Sequence, residues 1–265
     1  MAGIINMAPG GFSTLSGGTR TTVKTTRPWQ VRMTLPANQS DCPLCSREQI
    51  DEYIPEPGWW KTFENSNTPW PYHRLLIPAY CWPIDKLWSL GGKETLETML
   101  RLAIDDVVRT RGHLFPIWIY THIGYGAGQN LPHLHWHICE PPTKPKNLDC
   151  EGLLTPLWSS DAFSVHLGGT RAGQAFIFPK VSYIPQSDLS KFATESWKLV
   201  EMFNNKFNQP DYCLFIALHS ETEWWARYTP ILNNWGGSEF AALDLGTPFV
   251  LPWPHEATRD FLLAP

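Results

Sequence analysis

Charge is scarce in this sequence. Lys, Arg, Asp and Glu make up 17% of its 265 residues, against about 25% in an ordinary soluble domain. The two signs nearly cancel, leaving a formal net charge of −4. With no basic patch to repay contact with a phosphate backbone, nucleic acid is not an expected partner. Long apolar runs are missing too. The best, Leu114 to Tyr120, falls far short of the ~20 residues of a membrane span and reads as a buried strand, so no membrane association is expected. The opening MAGIINMAPGGFSTLSGG has no basic n-region and too short an apolar core for a secretory signal. Its Gly, Ser and Thr content suggests a flexible arm over residues 1–28. A cytoplasmic, reducing location is the expectation, and the six cysteines then read as thiols or metal ligands before disulfides.

Aromatic residues and proline are plentiful, with 14 Trp and 24 Pro. They point to a loop-rich chain with broad internal or subunit interfaces. The length fits one large domain or two small ones at roughly 150 residues each. Trp60 to Asn65 and His73 to Pro78 read as strands joined by the turn-rich 66–72. Lys93 to Arg111 is the clearest helix, with Leu96, Met99, Leu100, Ala103, Val107 and Val108 on one stripe and Gly112 as its stop. Phe115 to Thr121 and His133 to Cys139 are strands flanking a glycine-rich connection, and Pro141 to Asp149 reads as a linker. The second half repeats the scheme: QAFIFPK at 174–180 echoes RLLIPA at 74–79, followed by a helix from Ser187 to Phe207 and a strand from Tyr212 to His219. This order alone does not separate duplication from coincidence.

The sharpest feature is Leu131-Pro-His133-Leu-His135-Trp-His137-Ile138. Period-two alternation puts the three histidines on one strand face and Leu134, Trp136 and Ile138 on the other. A polar face over a core and a three-histidine zinc tripod are both open readings of that pattern. Gly124, Gly126 and Gly128 favour a third, because such a loop offers backbone N–H groups to a phosphate and a metal tripod has no need of it. Histidine beside a phosphate cradle suggests phosphoryl or nucleotidyl chemistry.

Gly124-x3-Gly128-Gln129-x3-His133-x-His135-x-His137 resembles the signature of the histidine triad superfamily, and Asn65-Ser-Asn-Thr-Pro-Trp-Pro-Tyr-His73-Arg-Leu-Leu-Ile-Pro78 resembles its nucleotide-pocket strand and turn. Within it, the galactose-1-phosphate uridylyltransferase-like branch is nearer: it carries two such repeats in one chain and a Pro before the first histidine. Tyr228-Thr-Pro-Ile-Leu232 and Gly236-Gly-Ser-Glu239-Phe resemble its second repeat. His137 departs from the branch, which has Gln there, and matches the hydrolytic branch.

The resemblance implies an α+β fold of two repeats, each an antiparallel sheet with packed helices, over residues 29–145 and a degenerate 146–265. It implies His135 as the nucleophile, with His137 and Gln129 supporting it. Asn65 is expected on the ribose, and His73, Gly128 and Asn130 around the nucleotide and phosphate, His73 mainly in a supporting or packing part. Glu239 is the candidate for binding a substrate hydroxyl. Cys42, Cys45, Cys81 and His133 are implied as ligands of a structural Zn2+, Cys81 standing where the branch has another ligand; three buried thiols, or a redox pair at Cys42-x2-Cys45, are the competing readings. His113, His166, His219 and His255 are read as structural. Trp59-Trp60 and Trp224-Trp225 are read as packing before stacking on a base or sugar.

The expectation that follows is a nucleotidyltransferase acting on a nucleoside diphosphate sugar or related nucleotide through a nucleotidyl-histidine, in a homodimer. A nucleotide hydrolase or phosphorylase, and a non-catalytic nucleotide-binding module, are the alternatives.

Overall fold

The computed structural model describes residues 4–7, 13–16, 39–46, 49–65, 68, 70–124, 126–129, 131–140, 154–169, 173–180, 186–220, 223–232 and 255–264. The elements run β1 (Ile4–Met7), β2 (Ser13–Ser16), α1 (Pro43–Ser46), β3 (Trp60–Glu64), β4 (His73–Pro78), α2 (Ile84–Trp88), α3 (Lys93–Arg111), β5 (Ile117–Ile123), β6 (Trp136–Cys139), β7 (Thr155–Ser159), β8 (Phe163–Leu167), β9 (Ala175–Pro179), α4 (Gln186–Phe207), β10 (Tyr212–Leu218), β11 (Trp224–Pro230) and α5 (His255–Leu263).

The long helix α3 occupies the span its periodicity predicts. It ends at Gly112, whose φ of 75° lets the backbone turn left-handed and return its N–H to the Val108 carbonyl. Leu96, Met99, Leu100, Ala103 and Val107 are buried, whereas Val108 is exposed and leaves the stripe. β5 starts two residues later than its apolar run, past Pro116, which has no N–H for the ladder. β6 begins only at Trp136, so His133 and His135 lie in an irregular lead-in and not on a strand. The stretch 4–16, read as an arm, contains the β1–β2 hairpin. The expected linker 141–149 lies outside the described residues.

Nine strands form one antiparallel sheet in the order β3-β4-β6-β5-β10-β11-β9-β8-β7. Its centre is the β5·β10 pair, where Tyr120 faces Phe215. Counting outward from that pair, the two sides match residue by residue. Tyr120 pairs with His137 as Phe215 pairs with Arg227. His137 pairs with Leu75 as Arg227 pairs with Phe176, and Pro78 pairs with Trp60 as Pro179 pairs with Phe163. The hairpin-closing bonds match as well: Asn65 N to His73 O corresponds to Gly168 N to Gln174 O, and Ala79 N to Trp59 O corresponds to Lys180 N to Ala162 O. The QAFIFPK echo is thus a true register equivalence, and the sheet is two repeats related by a local two-fold. Among the described residues β7 has no strand counterpart in the first repeat, where a single Tyr53–Thr62 bridge stands at the equivalent edge.

One face of the sheet is the core. Ile117, Ile119, Trp136, Ile138, Leu214, Ile216, Ala226 and Tyr228 are buried there in one cluster with Leu96, Met99 and Ala103 of α3 and Phe192, Leu199 and Phe203 of α4. Each fully buried aliphatic or aromatic side chain of this kind contributes about 1.5–3 kcal/mol. The opposite face carries a row of rings in contact: His137 with Tyr120, Tyr120 with Phe215, Phe215 with Trp225. Among the described residues no helix is long and apolar enough to cross a membrane.

Candidate functional site

Two groups of side chains meet where the loop after β5 enters β6. The first is Cys42, Cys45, Cys81 and His133, whose ligand atoms all lie within 4.8 Å of one another. Cys42 and Cys45 come from the single turn of α1, with Cys45 N and Ser46 N both bonded to the Cys42 carbonyl, and Cys81 follows β4. His133 Nδ1 is nearly equidistant from the three sulfurs, at 3.4, 3.2 and 3.3 Å, and Cys45 Sγ lies 3.6 Å from Cys81 Sγ. A tetrahedron with metal–sulfur bonds of ~2.3 Å and a metal–nitrogen bond of ~2.0 Å has edges of roughly 3.5–3.8 Å, close to this spacing. His133 Nε2 donates to the Pro78 carbonyl at 2.9 Å, which puts the ring proton there and turns the Nδ1 lone pair into the cluster. Burial lowers His133 to about 4, so the ring is neutral near pH 7. Burial, with the neighbouring thiols, raises Cys81, and burial also raises Cys45. Thiolates at this spot therefore need a cation beside them. The four residues form a set that a metal ion fits, with each donor contributing one atom.

The second group is built around His135, buried at 9% exposure. Its Nδ1 donates to the His133 carbonyl at 2.8 Å, which leaves the Nε2 lone pair uncommitted by that bond. Burial lowers its pKa, so it is a neutral base at pH 7. The His135 and His137 rings meet edge to face at 5.1 Å. His137 stacks on Tyr120 at 4.6 Å, and its Nδ1 lies 2.9 Å from His73 Nε2. His73 Nδ1 in turn bonds the Thr68 hydroxyl, and the Asn65 carboxamide lies 3.4 Å from the His73 ring. His73 is thus tied to the triad by a direct hydrogen bond and is more than packing. The three histidines do not share a face: His135 and His137 stay together, while His133 turns away into the cysteines.

The glycine loop differs from a plain phosphate cradle. Gly126 N donates to Asp211 Oδ2 at 2.6 Å, and a Cβ on Gly124 would lie 1.9 Å from Asp211 Oδ1. Gly124 N donates to Gln129 Oε1 at 2.9 Å, and Gln129 N to the Gly124 carbonyl at 3.1 Å. Two of these amides are therefore already engaged within the protein, and so is Gln129 N. The Gln129 side chain is buried, with its Nε2 3.4 Å from the His133 carbonyl, so it braces the loop and does not face a ligand. Gly128 has a φ of +101° and nothing within 4 Å of a Cβ position, which leaves its surroundings open. Asn130 and Glu239 lie outside the described residues.

Two residues here escaped the sequence reading. His122 faces the same side of the sheet as Tyr120 and next to His135; among the described residues its buried Nδ1 has no hydrogen-bond partner. Burial and the proximity of His135 lower it to about 4. Asp211 stands before β10, 85 residues from the glycine whose amide it accepts, and no spacing rule connects them. Of the tryptophan pairs, Trp60 and Trp224 are core residues, Trp59 is 66% exposed, and Trp225 lies in the ring row of the outer face. The second repeat has none of the triad: the register puts Arg227 opposite the place of His137, Trp225 at that of His135 and Gln174 at that of His73.

No protein-family model and no curated protein matches the sequence. Solved structures do match. A GalT-like protein from Arabidopsis thaliana superposes with a TM-score of 0.67 at 15% identity, covering 84% of this chain and 91% of that one. An ADP-glucose phosphorylase from Arabidopsis thaliana with bound ADP-glucose gives 0.66 at 16%, covering 83% and 89%. A uridylyltransferase gives 0.65 at 11%, covering 87% and 92%. At such identity the likeness is one of fold, and it runs through both repeats and nearly the whole length of each neighbour. The chain shares the fold of these GalT-like, ADP-glucose phosphorylase and uridylyltransferase structures.

Proposed function

We propose that the protein is a nucleotidyltransferase that moves a nucleoside monophosphate from a nucleoside diphosphate sugar, or a related nucleotide, through a covalent intermediate on His135. The observation that carries this reading is the hydrogen bond from His135 Nδ1 to the His133 carbonyl, which fixes the proton on one nitrogen and presents the other as a neutral nucleophile. Nε2 attacks the α-phosphorus, the bond from phosphorus to the bridging oxygen breaks, and the sugar phosphate leaves with the electron pair. An acceptor oxygen then displaces His135 and takes the nucleotidyl group. His137, tied to His73, would steady the phosphoryl oxygens or hand a proton to the leaving group. Gly128 borders the phosphate, Asn65 reaches the ribose, and Asn130 and Glu239 complete the phosphate and hydroxyl contacts.

The metal at Cys42, Cys45, Cys81 and His133 is proposed to be a structural zinc. Its closed Cys3His donor set supplies rigidity rather than Lewis acidity, and by fixing His133 it sets the carbonyl that His135 bonds. Such thiolates persist in a reducing compartment, consistent with a cytoplasmic location. We place the repeat boundaries at 29–145 and 146–265 with the arm over 1–28. We also propose a homodimer, in keeping with 14 Trp and only 17% charged residues in the sequence.

A hydrolase or phosphorylase is the second reading, favoured by His137: unlike Gln, an imidazole linked to His73 can take a proton from water or give one to a leaving group. Incubation with UDP-glucose, ADP-glucose and ATP separately, followed by product analysis, distinguishes them. Sugar 1-phosphate released only in step with nucleotidyl transfer to an added phosphate ester supports the transferase. Free nucleoside monophosphate in water alone supports hydrolysis. Binding with no product from any of the three would overturn the enzymatic reading.

A further inference from the structure

Asp211 belongs to the second repeat, yet it is built into the first repeat's loop. Its backbone carbonyl is held by Ile231 N at 2.7 Å, just past the end of β11, so its position is set by the second repeat. Its carboxylate crosses to the loop and accepts Gly126 N at 2.6 Å. The two glycines give it room: a Cβ at Gly124 would lie 1.9 Å from Oδ1, and one at Gly126 2.9 Å from Oδ2. Gly124 also has a φ of +89°, which an L side chain rarely adopts.

From Gly124, which the Asp211 carboxylate closely approaches, hydrogen bonds lead on to the nucleophile. Gly124 N and O bond Gln129 Oε1 and N. Gln129 Nε2 reaches the His133 carbonyl, and that carbonyl accepts His135 Nδ1–H. Resting on the reading of His135 as nucleophile, we infer that Asp211 is a positioning residue through which the second repeat, itself without a triad, holds the loop and hence the His133 carbonyl that orients His135. The carboxylate touches no substrate. It keeps the proton of His135 on Nδ1, and a small displacement of that carbonyl frees the ring to rotate or change tautomer. Misplacing a reacting group by about 1 Å costs on the order of 100-fold in rate. A Cβ at either glycine would press on the Asp211 carboxylate, so Gly124→Ala and Gly126→Ala are expected to displace it.

The test uses Asp211→Ala and Asp211→Asn in the full-length protein. The first readout is the tautomer of His135, followed by 15N–1H correlation of the imidazoles at pH 7 and needing no substrate. Wild type and Asp211→Asn, whose amide oxygen still accepts Gly126 N, are expected to show the Nδ1–H form. Asp211→Ala is expected to show mixed tautomers. The second readout is the rate of adduct formation with UDP-glucose or ADP-glucose, with affinity measured separately in a His135→Gly background. Asp211→Ala should slow adduct formation about 30- to 100-fold while affinity changes less than about threefold, and Asp211→Asn should recover most of the rate. An unchanged His135 tautomer in Asp211→Ala would overturn the inference. So would tighter nucleotide binding with a faster reaction, which would make the carboxylate a plug in an anion site. Absence of an adduct on wild type would instead defeat the proposed function and leave the tautomer result to judge Asp211.

Discussion

At His135 the decisive feature is a single backbone carbonyl. The acceptor on Nδ1 makes the ring a base with a fixed lone pair, and burial keeps it uncharged. His135→Gly should abolish the adduct and leave metal content and fold intact, as read by intact mass, metal analysis and circular dichroism. His133→Ala should lower metal content and melting temperature together. His122 has a different consequence. Burial, then the neighbouring His135, lowers it to about 4 from 6.5. Between those values the unfolded chain binds a proton that the folded chain refuses, so this contribution to stability is full above pH 6.5 and is lost as pH falls toward 4. Urea unfolding at pH 7 and pH 5 should show a drop in wild type that is smaller in His122→Asn. Equal drops would remove His122 as its source.

Among the elements, the strongest tie between β4 and α3 is ionic and buried. Arg74 Nε lies 2.6 Å from Asp106 Oδ2, both side chains nearly inaccessible, and Thr62 of β3 donates to Asp106 Oδ1. Arg74 also reaches Asp51, and Arg109 bonds Asp106 from the next turn of the helix. Asp106→Ala removes the buried partner of Arg74, leaving it only the more exposed Asp51, and should cost up to about 3–5 kcal/mol in urea unfolding. Arg109→Ala, at a partly exposed pair, should cost less than about 1 kcal/mol. None of this was legible in the sequence, because an acid inside an amphipathic helix reads as its solvent face and only the tertiary contact shows otherwise. The elements with strong periodicity were legible: α3 falls on its predicted span, and β3, β4, α4 and β10 lie within a residue or two. β7, β8, β11, α2 and α5 were not, being short or lacking clean alternation. Cys81 was visible only through resemblance, since nothing in its spacing from Cys42 and Cys45 links it to them. The irregular path of His133 out of the expected strand was hidden too, because alternation continues through a segment whose backbone has left the ladder.

For the whole molecule, the register match across β5 and β10 makes the sheet a duplicated scaffold in which one repeat alone carries the histidine cluster. In the first repeat residues 124–135 separate β5 from β6, whereas only residues 219–223 separate β10 from β11 in the second. Trp225 and Arg227 stand where the first repeat has His135 and His137. Metal analysis of protein purified without added zinc should give about one equivalent per chain, and chelation should lower the melting temperature. Sedimentation at micromolar concentration should give twice the chain mass; a monomer would confine the site to one subunit. The most direct measurement is the intact mass of the protein after brief exposure to UDP-glucose or ADP-glucose, followed by peptide mapping. The account predicts an increase equal to one nucleoside monophosphate residue, acid-labile as a phosphoramidate and located on His135. An unmodified protein that still turns the nucleotide over, or an adduct on any other residue, would contradict it.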